Sequence, residues 1–258
     1  MKIIVLVKEV PDTWGERKLT LETGLADRGA SDTVLDEIGE RALEVALTHA
    51  DKNPGTEVIV MSMAPEGSAA TVRKALAMGA TSAVHIADEA LVGADLGLTA
   101  EVLAAAIART GFDLIITGNL STDGVGGVMP AMVAELLRVP VASALTSVEI
   151  TPEKVAGQRV ADGGTMDVEA VLPAVISITE RLPDARFANF KGIMAAKKKP
   201  FETLSLADLE VNADDPDAAR SIVISIADKP PRDAGVKITD EGDAGQKLAE
   251  FLVQNRLV

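Results

Sequence analysis

The 258-residue chain contains no cysteine, so disulfides, thiolate metal sites and a cysteine nucleophile are all excluded. Its histidines number two, His49 and His85, too few for a histidine-rich metal cluster. No apolar run is long enough to cross a bilayer. The opening KIIVLVKEV places five apolar residues between Lys2 and Lys8, short even for the apolar stretch of a secretion signal. These absences predict a cytoplasmic protein with no direct membrane insertion. Positive charge is also in deficit. A net charge of −14 argues against a nucleic-acid or anionic-membrane partner for the chain as a whole, because the phosphate attraction that dominates such binding becomes repulsion. There is no internal repeat and no low-complexity tract.

What is present is a 47% hydrophobic composition, enough for a well-filled core. Apolar runs of strand length alternate with helical patterns. KIIVLV precedes a helix near Leu35 to Lys52, EVIVMSM precedes Glu66 to Met78, AVHIA precedes Ala94 to Arg109, and FDLIIT precedes Val128 to Leu137. Four such β-then-α units predict a Rossmann-like α/β fold, a mostly parallel sheet covered by helices. From Val139 to Thr179 the pattern changes to short strands around Gly157, Gly163 and Gly164, which read as antiparallel additions completing the sheet. After Leu182 the alternation stops. The stretch from Leu206 to Asp217 is acidic, and KPPRDAG carries two adjacent prolines that no regular element admits. An amphipathic helix is predicted from Ala244 to Asn255, with Leu248, Phe251 and Leu252 on one side. The chain thus divides into an α/β domain over 1–184, a distinct segment over 185–201 and an extended C-terminal arm over 202–258.

The stretch GNLSTDGVGGVMPAM, from Gly118 to Met132, holds four glycines within ten residues and no lysine or arginine. It follows a predicted strand directly, and ligands of open parallel sheets bind beyond the carboxyl ends of strands. Unpaired N–H groups at the start of the next helix can bind phosphate without a basic side chain. Gly124, Gly126 and Gly127 permit close backbone approach, while Ser121, Thr122 and Asp123 suit either capping or contact with ribose and base atoms. The spacing is not that of G-x-G-x-x-G, since Met129 stands at the third glycine, and no G-x-x-x-x-G-K-[ST] occurs. On these residues alone, a nucleotide cradle and a plain helix-capping turn are both open.

Other residues give weaker signals. His85, inside AVHIA, reads as a core histidine with a satisfied hydrogen bond. His49, late in its helix, reads as solvated, with its charged form favoured by the helix dipole. Glu9 and Asp12 lie close in sequence but no nucleophile accompanies them, so no acid, base and nucleophile set makes this chain an enzyme alone.

Five stretches occur in one order: IVLVKEVPDTWGERKLT, VLDEIGERALEVAL, RKALAMGA, STDGVGG and ARFANFKGIMAAKKKP. Together they span nearly the whole chain and resemble the beta subunit of the electron-transfer flavoproteins, in a bacterial, actinobacterial-like style. The resemblance implies a nucleotide-binding domain over 1–184 that buries AMP and has no catalytic duty. It implies an alpha subunit that holds most of the FAD, electrons arriving from dehydrogenases such as acyl-CoA dehydrogenases, and delivery to a membrane quinone oxidoreductase. Matched position by position, the implied AMP contacts are Leu6, Asp36, Glu37, Ile38, Gly39 and Met63. They continue through Gly118, Asn119, Ser121, Thr122, Asp123, Gly124, Val125, Gly126, Gly127, Val128 and Met129. DEIG stands where many members carry an Asn-Pro-aromatic stretch, and Asp36 is suited to accept from an exocyclic amine. Bifurcating members, which bind a second FAD in place of AMP, usually carry a polar loop of the form DGDTAQVGP. Here the loop reads DGVGGVMPA, which favours AMP.

The same match makes 185–201 a partner-recognition loop. Phe190 stands where the family usually has a docking leucine, and Phe187 is the second candidate. Lys191, Ile193, Met194, Lys197, Lys198 and Lys199 surround them. Trp14, the single tryptophan, either approaches the partner's flavin or packs onto its own domain. The arm is expected to wrap the alpha subunit. Two alternatives remain: a stand-alone adenine-nucleotide binding or hydrolysing α/β protein, and the beta subunit of a bifurcating flavoprotein. A sensor has little use for such an arm.

Overall fold

In the computed structural model, which describes all residues except Glu16, Asp233 and Val236, the first apolar run becomes the centre of the molecule. Strand β1 (Lys2–Leu6) has Ile3, Ile4 and Val5 fully buried, alternating between two cores on opposite faces of one sheet. After it come a small antiparallel pair, β2 (Glu9–Pro11) with β3 (Thr33–Leu35), and helix α1 (Glu37–Lys52). Then β4 (Glu57–Met63), α2 (Ala69–Met78), β5 (Ser82–Ile86), α3 (Leu96–Thr110), β6 (Leu114–Gly118) and α4 (Met129–Leu137) complete the four expected units. The meander β7 (Val141–Ile150), β8 (Lys154–Ala161) and β9 (Gly164–Val171) leads to β10 (Ala174–Ile178). Beyond it lie α5 (Phe190–Ala196), β11 (Phe201–Leu204), α6 (Leu206–Leu209) and α7 (Ala244–Gln254).

Among the described residues, nine strands form the main sheet in the order β11-β5-β4-β1-β6-β10-β7-β8-β9. One face is covered by α1, α2 and α5, the other by α3, α4 and α6, because the apolar residues of each helix recur every three or four positions. Ala42, Leu43, Ala46 and Leu47 of α1 make such a stripe.

The structure differs from the sequence reading in two places. Strand β10 is not an antiparallel addition: it inserts between β6 and β7 and runs parallel to both, while in this sheet the antiparallel pairs among the described residues are β7 with β8 and β8 with β9. Its five residues are all buried, as expected for a strand with cover on both faces. Second, regular structure continues past Leu182. Strand β11 adds in parallel to β5, so the residues from 202 onward first complete the sheet before any arm begins. The chain separates into compact units of Met1–Ile224 and Ser225–Val258. KPPRDAG lies in the second unit and has no regular structure among its described residues. In α7 no residue is buried.

Helix α3 illustrates how a single residue fixes an element. Asp95 accepts from Leu98 N at 2.8 Å as an N-cap and from Ser221 N at 2.6 Å, tying the last residues of the first unit to the helix. Those backbone donors, Leu98 first, hold its carboxyl below the ordinary value of 3.8. A depressed carboxylate stabilises the fold above its unfolded pKa and loses that contribution as pH falls through the folded one. We expect Asp95→Ala to cost about 1 kcal/mol at neutral pH, as a lost cap does, with the difference shrinking below about pH 4. Urea midpoints across pH measure both.

Candidate functional site

The strand order reverses beside β1: β4 and β5 follow on one side, and the chain then crosses to β6 on the other. The carboxyl ends of β4, β1 and β6 therefore bring Met63, Leu6 and Gly118 to one edge of the sheet, at the crevice where open α/β sheets take ligands. Gly118 is required here. A Cβ on it would stand 2.6 Å from Ile38 Cγ2, so glycine lets the start of α1 close onto the end of β6. Gly39, buried in the first turn of α1, is not so constrained: a Cβ on it would lie 3.5 Å from Val7 Cα, an ordinary contact.

Asp36, 2% exposed, precedes α1 and reaches across to the glycine-rich loop, where its Oδ2 accepts from Thr122 N at 2.9 Å. Its Oδ1 is buried with no hydrogen-bond partner among the described residues, and so is Thr122 Oγ1. Burial raises the Asp36 pKa, outweighing the nearby donors of Thr122 and Ile38, which lower it. Two basic side chains that the sequence reading did not select grip the same loop. Lys8 Nζ meets Asp123 Oδ1 at 2.8 Å, and Arg17 donates to the Thr122 carbonyl. Burial pushes Asp123 up, but Lys8 and Ser121 outweigh it and its pKa is lowered. A signal for Lys8 existed in the sequence: a lysine directly after a buried strand stands at the carboxyl edge.

The loop itself is tightly turned. Val125 is left-handed at φ 51°, a strained setting for a β-branched residue, and its N–H donates to Ser121 O at 3.0 Å. Gly124 N donates to Asp123 Oδ1 and Ser121 Oγ, and the N–H groups of Gly126 and Gly127 have no acceptor among the described residues. Helix α4 then starts at Met129 with Val128 before it and no side-chain cap, leaving first-turn donors open. Asn119 caps its own turn by accepting from Leu120 N. Glu37 points elsewhere, pairing with Arg41 at 2.9 Å one turn on.

Trp14 is 96% exposed, so of the two readings offered for it, packing onto its own domain does not hold. His85 matches expectation: it is 1% exposed, its Nε2 lies 3.1 Å from Ala64 O, and Phe201 stands edge-on to its ring. His49 does not match. It is half-buried, and desolvation, with the nearby N-terminal charge, lowers its pKa, the reverse of the dipole expectation.

In the segment 185–201, Phe187 and Phe190 are 98% and 79% exposed, with Ile193 and Met194 also exposed on α5. Arg186 anchors the segment: its guanidinium meets Glu44 through two bonds of 2.8 Å and Asp51 at 2.9 Å. Those hydrogen bonds, Glu44 first, raise its pKa still further. Lys191, Lys197 and Lys198 are exposed. Lys199 departs from the docking expectation, because its ammonium is drawn inward to the Leu76 and Ala80 carbonyls at 2.9 and 2.6 Å, and this partial burial lowers its pKa.

A family model described as the electron transfer flavoprotein domain matches residues 23–209, from the connection between β2 and β3 through α6. The chain belongs to the electron transfer flavoprotein family. It is 45% identical to the electron transfer flavoprotein subunit beta of Mycobacterium leprae over 99% of both chains. It is 46% identical to that of Mycobacterium tuberculosis H37Rv, again over 99% of both. The caffeyl-CoA reductase-Etf complex subunit CarD of Acetobacterium woodii is 35% identical over 81% of this chain and 80% of its own length. Full-length likeness to beta subunits makes this chain an electron transfer flavoprotein beta subunit, which implies pairing with an alpha subunit. No helix among the described residues is long and apolar enough to cross a membrane.

Proposed function

We propose that this beta subunit holds AMP at the β1–β6 crevice, pairs with an alpha subunit that holds most of the FAD, and in that heterodimer carries electrons from dehydrogenases such as acyl-CoA dehydrogenases to a membrane quinone oxidoreductase. The observation that carries the nucleotide reading is the buried Asp36 Oδ1, an acceptor with no partner among the described residues. Leaving such an atom unmet costs about 1–3 kcal/mol, which an exocyclic adenine amine would offset. Asp36 and Ile38 would hold the base, Ser121 and Thr122 the ribose, and the N–H groups of Gly126, Gly127 and the first turn of α4 the phosphate. Leu6 and Met63 would form the apolar floor. The FAD supplies the redox chemistry when bound. This chain's own residues bind and position: Asp36 orients the loop through Thr122, Lys8 and Arg17 hold its outer side, and the exposed Trp14 loop faces outward toward a partner. We place the heterodimer in the cytoplasm.

The test is the nucleotide content of the purified heterodimer. On denaturation we expect one AMP and one FAD per heterodimer by chromatography. Two FAD and no AMP would move the protein to the bifurcating class, and no nucleotide beyond one FAD would remove the cradle reading. The DGVGGVMPA loop, with backbone donors and few polar side chains, supports the first outcome. Family membership as a beta subunit counts against a stand-alone nucleotide sensor.

A further inference from the structure

The acid-free segment 185–201 is not an isolated loop. Helix α5 lies directly on α2, and Gly192 makes that possible: a Cβ there would come 2.3 Å from the Ala77 carbonyl oxygen. Lys199 closes the same contact by donating to the carbonyls of Leu76, in the last turn of α2, and of Ala80, just past its end. On α2, Arg73 is one turn from Ala77, and its guanidinium carbon sits 4.3 Å over the ring of Phe201. The stretch AATVRKALAMGAT, which is α2 and the turn after it, contains no aspartate or glutamate either. The two neighbouring segments together carry seven bases and no acid in a chain of net charge −14.

These bases are not equivalent. Arg186 is neutralised by Glu44 and Asp51, and Lys199 is turned inward. Arg73, Lys74, Lys191, Lys197 and Lys198 are exposed, with Glu40 near Lys74. Lys191 follows Phe190 directly on α5, Arg73 and Lys74 lie on α2, the helix that α5 packs against, and Phe190, Ile193 and Met194 are exposed. An apolar anchor inside a cationic rim is the layout of a protein docking site, in which the anchor supplies affinity and the rim speeds encounter. Arg73 is preorganised for this by its seat on Phe201, so less side-chain freedom is lost on docking.

We propose that α2 and α5 form one docking face, that Arg73 and Lys74 extend the rim around Phe190, and that the occupant is a protein surface with an apolar pocket bordered by carboxylates. This rests on reading 185–201 as the dehydrogenase-facing segment, and adds a second helix to it. An anionic bilayer fits less well, since the strongly acidic remainder of the chain would be repelled by it.

The experiment follows flavin reduction of the FAD-loaded heterodimer by stopped flow, using as probe an acyl-CoA dehydrogenase from the same source, reduced beforehand with butyryl-CoA. Lys74→Gln and Arg73→Met, which keeps a side chain over Phe201, are compared with Phe190→Ala over increasing salt. At low salt each charge variant should slow the second-order rate about twofold to threefold and the double variant about fourfold to ninefold. All charge variants should converge on the wild type at high salt, with flavin content and unfolding temperature unchanged. Phe190→Ala should be slow at every salt concentration. Wild-type salt dependence in the charge variants, with Phe190→Ala still slow, would overturn the two-helix face and leave the segment reading standing. Wild-type rates in all three would sink both. Loss of binding to phosphatidylglycerol vesicles in Lys74→Gln, with unaltered dehydrogenase rates, would assign the face to lipid and overturn the proposal. Should Arg73→Met fail to fold, Lys74→Gln carries the test alone.

Discussion

A chain ending at Ile224 should keep its α/β domain folded and lose pairing with the alpha subunit by a factor of about 100 or more, read by co-purification and by sedimentation of the mixed chains. The second unit, Ser225–Val258, carries Leu248, Phe251, Val253 and Leu257 at 52%, 37%, 63% and 62% exposure, and α7 buries nothing. An isolated helix of this length is marginal in water, so it needs a surface to cover its apolar side. Fully burying a side chain of this kind contributes about 1.5–3 kcal/mol, and a hundredfold change in affinity needs about 2.8 kcal/mol, so two well-buried anchors suffice. The position of the cut matters. Removing everything after Ala219 would also delete the 2.6 Å Arg220–Glu101 ion pair and the Ser221 N–H bond to Asp95, and would confound pairing with damage to α3. Undiminished pairing of the 1–224 chain, together with a lowered unfolding temperature of the beta subunit alone, would make the arm part of this subunit's own fold instead.

How far the sequence carried this picture depends on which forces wrote each feature. β1, β4, β5 and β6 were legible because a strand covered on both faces must be apolar throughout, and that signature is local. The glycine-rich loop was legible because it sits immediately after such a strand. β10 is equally apolar, but whether AVISI runs parallel or antiparallel to its neighbours depends on a return connection across the meander, which periodicity does not encode. β11 is four residues, two of them polar, held by pairing to β5 rather than by its own pattern. The clamps of the site were hidden for a similar reason. Lys8 and Asp123 are 115 residues apart and Asp36 and Thr122 are 86 apart, so only the fold makes them partners. His49 was misread because its helix position favours a charged ring, whereas its actual burial beside the N-terminal charge does not.

Asp36 joins sequence, loop and ligand most directly, and its substitution should have the largest effect on nucleotide content. We expect the Asp36→Ala heterodimer to be purified with less than about a tenth of the wild-type AMP, because a hydrogen bond to a charged acceptor contributes about 1.5–3 kcal/mol, or tenfold to more than a hundredfold in affinity. Alanine also strips Thr122 N of its acceptor, so loop collapse would give the same loss. Asp36→Asn separates the two: its carbonyl oxygen can still accept from Thr122 N, while its NH₂ presents a donor where an adenine amine needs an acceptor. It should lose AMP with the loop and FAD content intact. The pH dependence has a definite sign. Burial raises the Asp36 pKa above its ordinary 3.8, so between that value and the folded pKa the nucleotide-free fold binds more protons than the unfolded chain and gains stability as pH falls. Above the folded pKa the buried carboxylate is a constant cost, which Asp36→Asn removes; without nucleotide this variant should therefore be at least as stable as the wild type at neutral pH. AMP affinity runs the other way, since binding uses the ionised carboxylate, and should weaken as pH drops through the folded pKa in the wild type but stay flat in Asp36→Asn. Calorimetric titration of AMP into nucleotide-depleted heterodimer across pH measures this, and stoichiometric AMP in purified Asp36→Asn would remove Asp36 as the base contact.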